Sequence, residues 1–112
     1  MISKALMAAS TAPIILSILS TGEDYGYNII HRVKEASGGS LNWSDGMLYP
    51  VLQRMEKEGL IHSRWTISEE GRHRKYYMIT DKGRKELESE MIQWRSVYKA
   101  LTSLRGPLPA AD

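Results

Sequence analysis

A chain of 112 residues with 42% hydrophobic and 25% charged side chains is enough for one domain around one modest core. It has no cysteine, which excludes disulfides and thiolate metal sites and allows a reducing compartment. Net charge is only +2, but it is unevenly spread: between residues 72 and 85, Arg72, Arg74, Lys75, Lys82, Arg84 and Lys85 stand against Asp81 alone. The rest of the chain is therefore net acidic, and one short stretch carries a positive field suited to a polyanion.

Near the start, Lys4 precedes an apolar-leaning run, as in a signal peptide, but Ser10, Thr11 and Pro13 interrupt it. Residues 13–19 (PIILSIL) fall far short of the ~20 residues that a membrane span needs. They read as a core helix with Ser10 or Thr11 as N-cap, Pro13 in the first turn and Gly22 just past the end. Residues before Pro13 form at most a separate, looser turn. No membrane partner is expected, and the expected location is cytoplasmic. In the next helix Tyr25, Ile29, Val33 and Ala36 recur at helical spacing with Ile30 alongside, until Gly38 and Gly39 stop it. Residues 41–43 give a short extended piece at most.

The third helix, SDGMLYPVLQRMEKEGL, has Ser44 as N-cap, Asp45 at its positive end and Gly59 as terminator. At about 100° per residue, Leu48, Val51, Leu52 and Met55 share one side. Gly46, Pro50, Gln53 and Lys57 share the other, flanked by Tyr49 and Arg54. Pro50 removes one backbone hydrogen bond and crowds the Gly46 carbonyl, but both face outward, so water can reach that carbonyl.

Residues 61–67 alternate, placing Ile61, Trp65 and Ile67 together, and residues 75–79 place Tyr77 with Ile79. The segment SEEGRHR joins them, so the pair reads as a β-hairpin whose basic tip turns at Gly71. Thr80 caps a last helix running to about Leu104. Its Leu87, Met91, Trp94, Tyr98 and Leu101 are spaced four, three, four, three, with Val97 and Leu104 widening a short coiled-coil seam. Residues 105–112 hold two prolines with little to bury, and are expected to be a disordered tail.

This order, mainly α with a small β-hairpin, is that of a winged helix-turn-helix domain (residues 1–79) followed by one long dimerisation helix (residues 80–104). Three segments, YGYNI (25–29), LYPVLQRMEKEGLI (48–61) and GRHRKYYMITDKGR (71–84), resemble the PadR family of bacterial transcriptional regulators. The likeness is to its small members with a single C-terminal helix and covers about residues 10–104. It implies a homodimer on double-stranded DNA, usually a repressor. The third helix would enter the major groove, the wing would touch the flanking minor groove or backbone, and the last helix would pair with the partner subunit. Where relatives often carry Ser-Pro-Gly-Thr, residues 44–47 read Ser-Asp-Gly-Met.

The residues assigned to DNA are Tyr27, Ser44, Gly46, Met47, Tyr49, Pro50, Gln53, Arg54 and Lys57, with Arg72, His73, Arg74 and Lys75 on the wing. Those assigned to the dimer interface are Leu87, Met91, Trp94, Val97, Tyr98, Leu101 and Leu104. Trp94 has two readings. It is core of the seam, or, as in relatives that bind flat aromatic compounds between subunits, it lines an effector pocket with Met91 and Tyr98. His31, His62 and His73 lack the spacing of a metal site. Neither a phosphate-binding glycine loop nor a nucleophile elbow occurs, so no cofactor and no catalytic residue is expected. The rival of another class is a winged-helix module that docks proteins and has no DNA target. An acidic third-helix face would favour it, and here that face is neutral to basic.

Overall fold

The first helix, α1, runs unbroken from Lys4 to Leu19 and is longer than its proline suggests. The computed structural model describes residues 1–106; of the expected tail, residues 107–112 lie outside the described residues. The α1 N-cap is Ser3, whose Oγ accepts from the Leu6 amide at 3.2 Å, and not Ser10 or Thr11. Those two hydroxyls instead donate to the Met7 carbonyl, at 3.2 and 2.6 Å, as serine and threonine do inside helices. Pro13 is tolerated mid-helix: the carbonyl it leaves without a donor belongs to Ala9, which is exposed and open to water.

The second departure concerns Tyr25, which is not on a helix. Asp24–Tyr25 forms a two-residue strand, β1, and α2 begins only at Gly26 and ends at Ala36. The buried Asp24 carboxylate organises this junction, accepting from the Tyr25 amide at 2.9 Å, from Asn28 Nδ2 and from Arg32 at 3.1 Å. Gly26 must be small, because a Cβ there would lie 2.3 Å from the hydroxyl oxygen of Tyr49. The Tyr49 ring therefore seats α3 (Asp45–Lys57) against the start of α2. Ser44 caps α3 as expected, its Oγ accepting from the Met47 amide at 3.3 Å.

Two further strands complete an antiparallel sheet in the order β1-β3-β2. β2 (Ile61–Ile67) and β3 (His73–Ile79) pair from Ile61↔Ile79 out to Ile67↔His73. Pairing that extends to His73 shortens the tip to residues 68–72, so His73, Arg74 and Lys75 belong to a strand. The turn is closed by the Ser68 amide donating to the Arg72 carbonyl at 2.8 Å, with Gly71 at φ 78°. Ile15, Leu16 and Leu19 of α1 meet Ile29, Leu48, Leu52, Met55, Ile61 and Tyr77 in one core. Trp43, on the connector before α3, is buried and donates its indole N–H to Met7 Sδ at 3.2 Å.

The last helix, α4 (Asp81–Arg105), is fixed at its base. Thr80 caps it, accepting from the Gly83 amide at 3.0 Å while donating to the Gly59 carbonyl at 2.6 Å. Lys82 reaches the Glu58 carbonyl at 2.7 Å. Gly83 lies directly on the Leu60 carbonyl, where a Cβ would come within 2.1 Å of the oxygen. Beyond Leu87, which packs on the core, the half-buried Trp94 still lies beside Leu6 and Ala9 of α1, while Met91, Ile92, Val97, Tyr98, Leu101 and Leu104 are exposed.

Candidate nucleic-acid interface

The outward side of α3 is the mirror of its buried stripe. With Leu48, Leu52 and Met55 in the core, Gly46, Tyr49, Pro50, Gln53, Arg54 and Lys57 are exposed, while Met47 is half-buried. Arg54 lies 3.6 Å from Glu58 in an exposed i, i+4 pair, an association weak enough to yield to another anion. Partial burial of the Tyr49 ring against α2, and then the Asp45 charge, raise its phenol above the ordinary tyrosine value. Tyr27, at the start of α2, is 74% exposed.

The wing cations separate into two groups. Arg72 and His73 are exposed at and beside the turn. Arg74 and Lys75 are engaged elsewhere. The Arg74 guanidinium lies 4.5 Å over the Tyr25 ring, which meets Tyr76 edge-on at 5.4 Å. Arg64 covers Tyr76 at 5.8 Å and makes a bidentate pair with Glu23. This stack ties the wing to β1. On the other face Lys75 is 3.8 Å from Glu56 of α3, whose second oxygen accepts from Ser63 Oγ at 2.6 Å. Lys75 therefore braces the wing against α3, and an open groove between the two is lined by Pro50, Gln53, Arg54, Glu56, Lys57 and Lys75. Glu23, Glu56 and Arg64 were not legible as site residues, since their roles depend on register and helix placement rather than on neighbours in the chain.

A second surface belongs to α4. The half-buried Trp94 donates its indole N–H to Glu90 at 3.1 Å. With Leu6 and Ala9 of α1, and with Gln93 and Val97, it lines a shallow recess. Met91 and Tyr98, expected beside Trp94, are exposed and do not line that recess. Among the described residues no cluster of side chains is set to hold a metal ion, and no helix is long and apolar enough to cross a membrane.

Three helices, a capped and outward-facing third helix, and a hairpin beside it define a winged-helix protein of the kind found in transcriptional regulators. Residues 15–89 match the transcriptional regulator PadR-like family, and the chain belongs to that family. It is 34% identical over 83 residues to the negative transcriptional regulator PadR of Bacillus subtilis, covering 74% of this chain and 46% of that one. It thus spans less than half of that relative's length. The crystal structure of a PadR-like transcriptional regulator from Bacillus cereus matches with a TM-score of 0.81 at 33% identity, over 94% of this chain and 100% of that one. A transcriptional regulator from Clostridium thermocellum matches with a TM-score of 0.83 at 28% identity, over 94% and 99% of the two chains.

Proposed function

We propose that this PadR-family regulator binds double-stranded DNA sequence-specifically as a cytoplasmic homodimer and represses transcription from a pseudo-palindromic operator. The observation that carries the reading is the exposure of Tyr49, Pro50, Gln53, Arg54 and Lys57 on one side of α3, next to the wing. A capped helix with apolar groups buried and polar and basic groups outward suits the major groove. Gln53 and Arg54 are placed to meet base edges. Ser44, Gly46 and Met47 bring the positive helix end toward the backbone, where the same helix end holds Asp45. Tyr27, Arg72 and His73 reach phosphates, and Lys75 faces the groove while holding the wing. The similarity to a negative regulator supports repression as the sense of control.

The dimer follows from α4. Fully burying a large apolar side chain is worth about 1.5–3 kcal/mol, and Met91, Val97, Tyr98, Leu101 and Leu104, exposed among the described residues, would gain much of this against a second copy of the chain. With Leu87 and Trp94 they form the proposed seam. An aromatic effector seated against Trp94 is the proposed release signal, supported by the recess beside that indole. The test is a mobility shift with the DNA upstream of the protein's own gene and a scrambled duplex of equal length. A retarded complex on the first at lower protein concentration is expected. A folded dimer that retards neither duplex would favour the protein-docking alternative.

A further inference from the structure

No role so far uses the crevice between the start of α1 and α3. Lys4, Met7, Ala8 and Thr11 of α1 meet Met47, Val51 and Arg54 of α3 around a cavity of about 340 Å³, near the lower end of the range for small-molecule sites. At about 100° per residue, those α1 residues lie on the side of the helix opposite Leu6 and Ala9, which line the recess beside Trp94. The crevice is therefore separate from that recess. Met7, Met47 and Val51 are half-buried, packing on the core with part of their surface still open. Two methionines give such a wall an adaptable shape.

The polar side chains of the crevice say what it takes. Thr11 is buried, and its hydroxyl already donates to the Met7 carbonyl at 2.6 Å. That leaves two cations. Lys4 is exposed and makes no ion pair among the described residues. Arg54 has only its weak, exposed pair with Glu58. No acidic residue precedes Glu23, so α1 sets no carboxylate against them, and helical spacing puts Asp45 on the far side of α3 from Val51 and Arg54. An apolar wall whose free polar side chains are both cationic suits an apolar chain or ring that ends in a carboxylate. Such an anion would cover Met47 and draw on Arg54, both assigned above to DNA. We propose that this crevice binds a small apolar carboxylate, and that the bound anion competes with DNA for the start of α3.

The competition rests on the DNA-binding reading, whereas the site itself does not, and the test separates the two. Trp43 supplies the reporter: its indole N–H is held by Met7 Sδ at 3.2 Å, while Trp65 and Trp94 lie on the wing and on α4. The indole N–H resonances of the isotope-labelled full chain are followed by NMR as octanoate is added at constant ionic strength. The upstream duplex is then titrated with and without octanoate. Octanoate should move the Trp43 resonance, leave that of Trp94 in place, and weaken duplex binding as its site fills. Octanol, which lacks the charge, should bind more weakly. Lys4→Gln should weaken octanoate by about two- to fivefold, the range of one exposed ion pair. Ala8→Phe, which fills the crevice from an exposed helix position, should abolish the shift while duplex is still bound. A Trp43 resonance that does not respond, or a response at Trp94 instead, would overturn the site. Equal binding of octanol and octanoate, or of octanoate to parent and Lys4→Gln, would overturn the carboxylate as its ligand. A shifted Trp43 with unchanged duplex affinity would overturn the competition. A parent that binds octanoate but no duplex would remove the DNA reading and leave the site standing.

Discussion

At the residue scale, two tyrosines link the site to the core. Tyr77 is buried beneath the wing, and its phenol is pushed up to about 12, first by burial and then by Tyr49 and Glu56. The unfolded chain ionises this tyrosine near 10.0, so between there and about 12 the unfolded state has released a proton that the folded state keeps. The stabilisation is complete below pH 10 and is lost as pH rises through that window, by on the order of 2–3 kcal/mol. Urea midpoints measured from pH 9 upward should fall for the parent, and Tyr77→Phe should flatten that fall. The wing cations differ in a similarly local way. Arg72→Ala should lower the salt slope of DNA binding by about one per subunit. Arg74→Ala should leave the slope unchanged and lower the thermal midpoint, because its guanidinium is committed to Tyr25. Equal slope changes for the two variants would contradict this division.

At the scale of elements, the base of α4 decides how the dimer seam is presented. Thr80, Lys82 and Gly83 all bond or press onto residues 58–60, the turn between α3 and β2. Gly83→Ala should destabilise the fold by about 1–3 kcal/mol or more, read as a lower urea midpoint, since its Cβ meets backbone rather than a yielding side chain. What the sequence revealed follows the same logic. Helix α3 was legible in full, because its cap, its buried stripe and its terminating glycine all lie within one segment. Helix α4 with its Thr80 cap was legible for the same reason. Helix α1 was not, because Pro13 is a local signal of a helix start that burial of Ile15, Leu16 and Leu19 on a longer helix overrides. Strand β1 was hidden as well: two residues show no periodicity, and Asp24–Tyr25 are extended only because β3 and the Asp24 carboxylate hold them so. Exposure of Trp65 and Ile67 could not be read from alternation, which gives a shared face but not the point where the hairpin overhangs the body.

At the scale of the whole molecule, one body carries a helix-and-wing face and a last helix that exposes Met91, Val97, Tyr98, Leu101 and Leu104. Trp94 lies near the join, half-buried between α1 and α4. If it seats an effector, Trp94→Ala should leave a folded dimer that binds operator and no longer responds to a planar aromatic compound. As seam core alone, the same change should cost roughly 3–5 kcal/mol and shift sedimentation toward monomer. The central claim, that a dimer presents two such faces to a duplex, is tested most directly by the salt dependence of binding to the upstream DNA. With Lys57 and Arg72 of both subunits on the backbone and Arg54 at a base edge, about four phosphates are neutralised, and affinity should fall roughly 10²-fold between 50 and 200 mM salt. Affinity that stays flat across that range would contradict it.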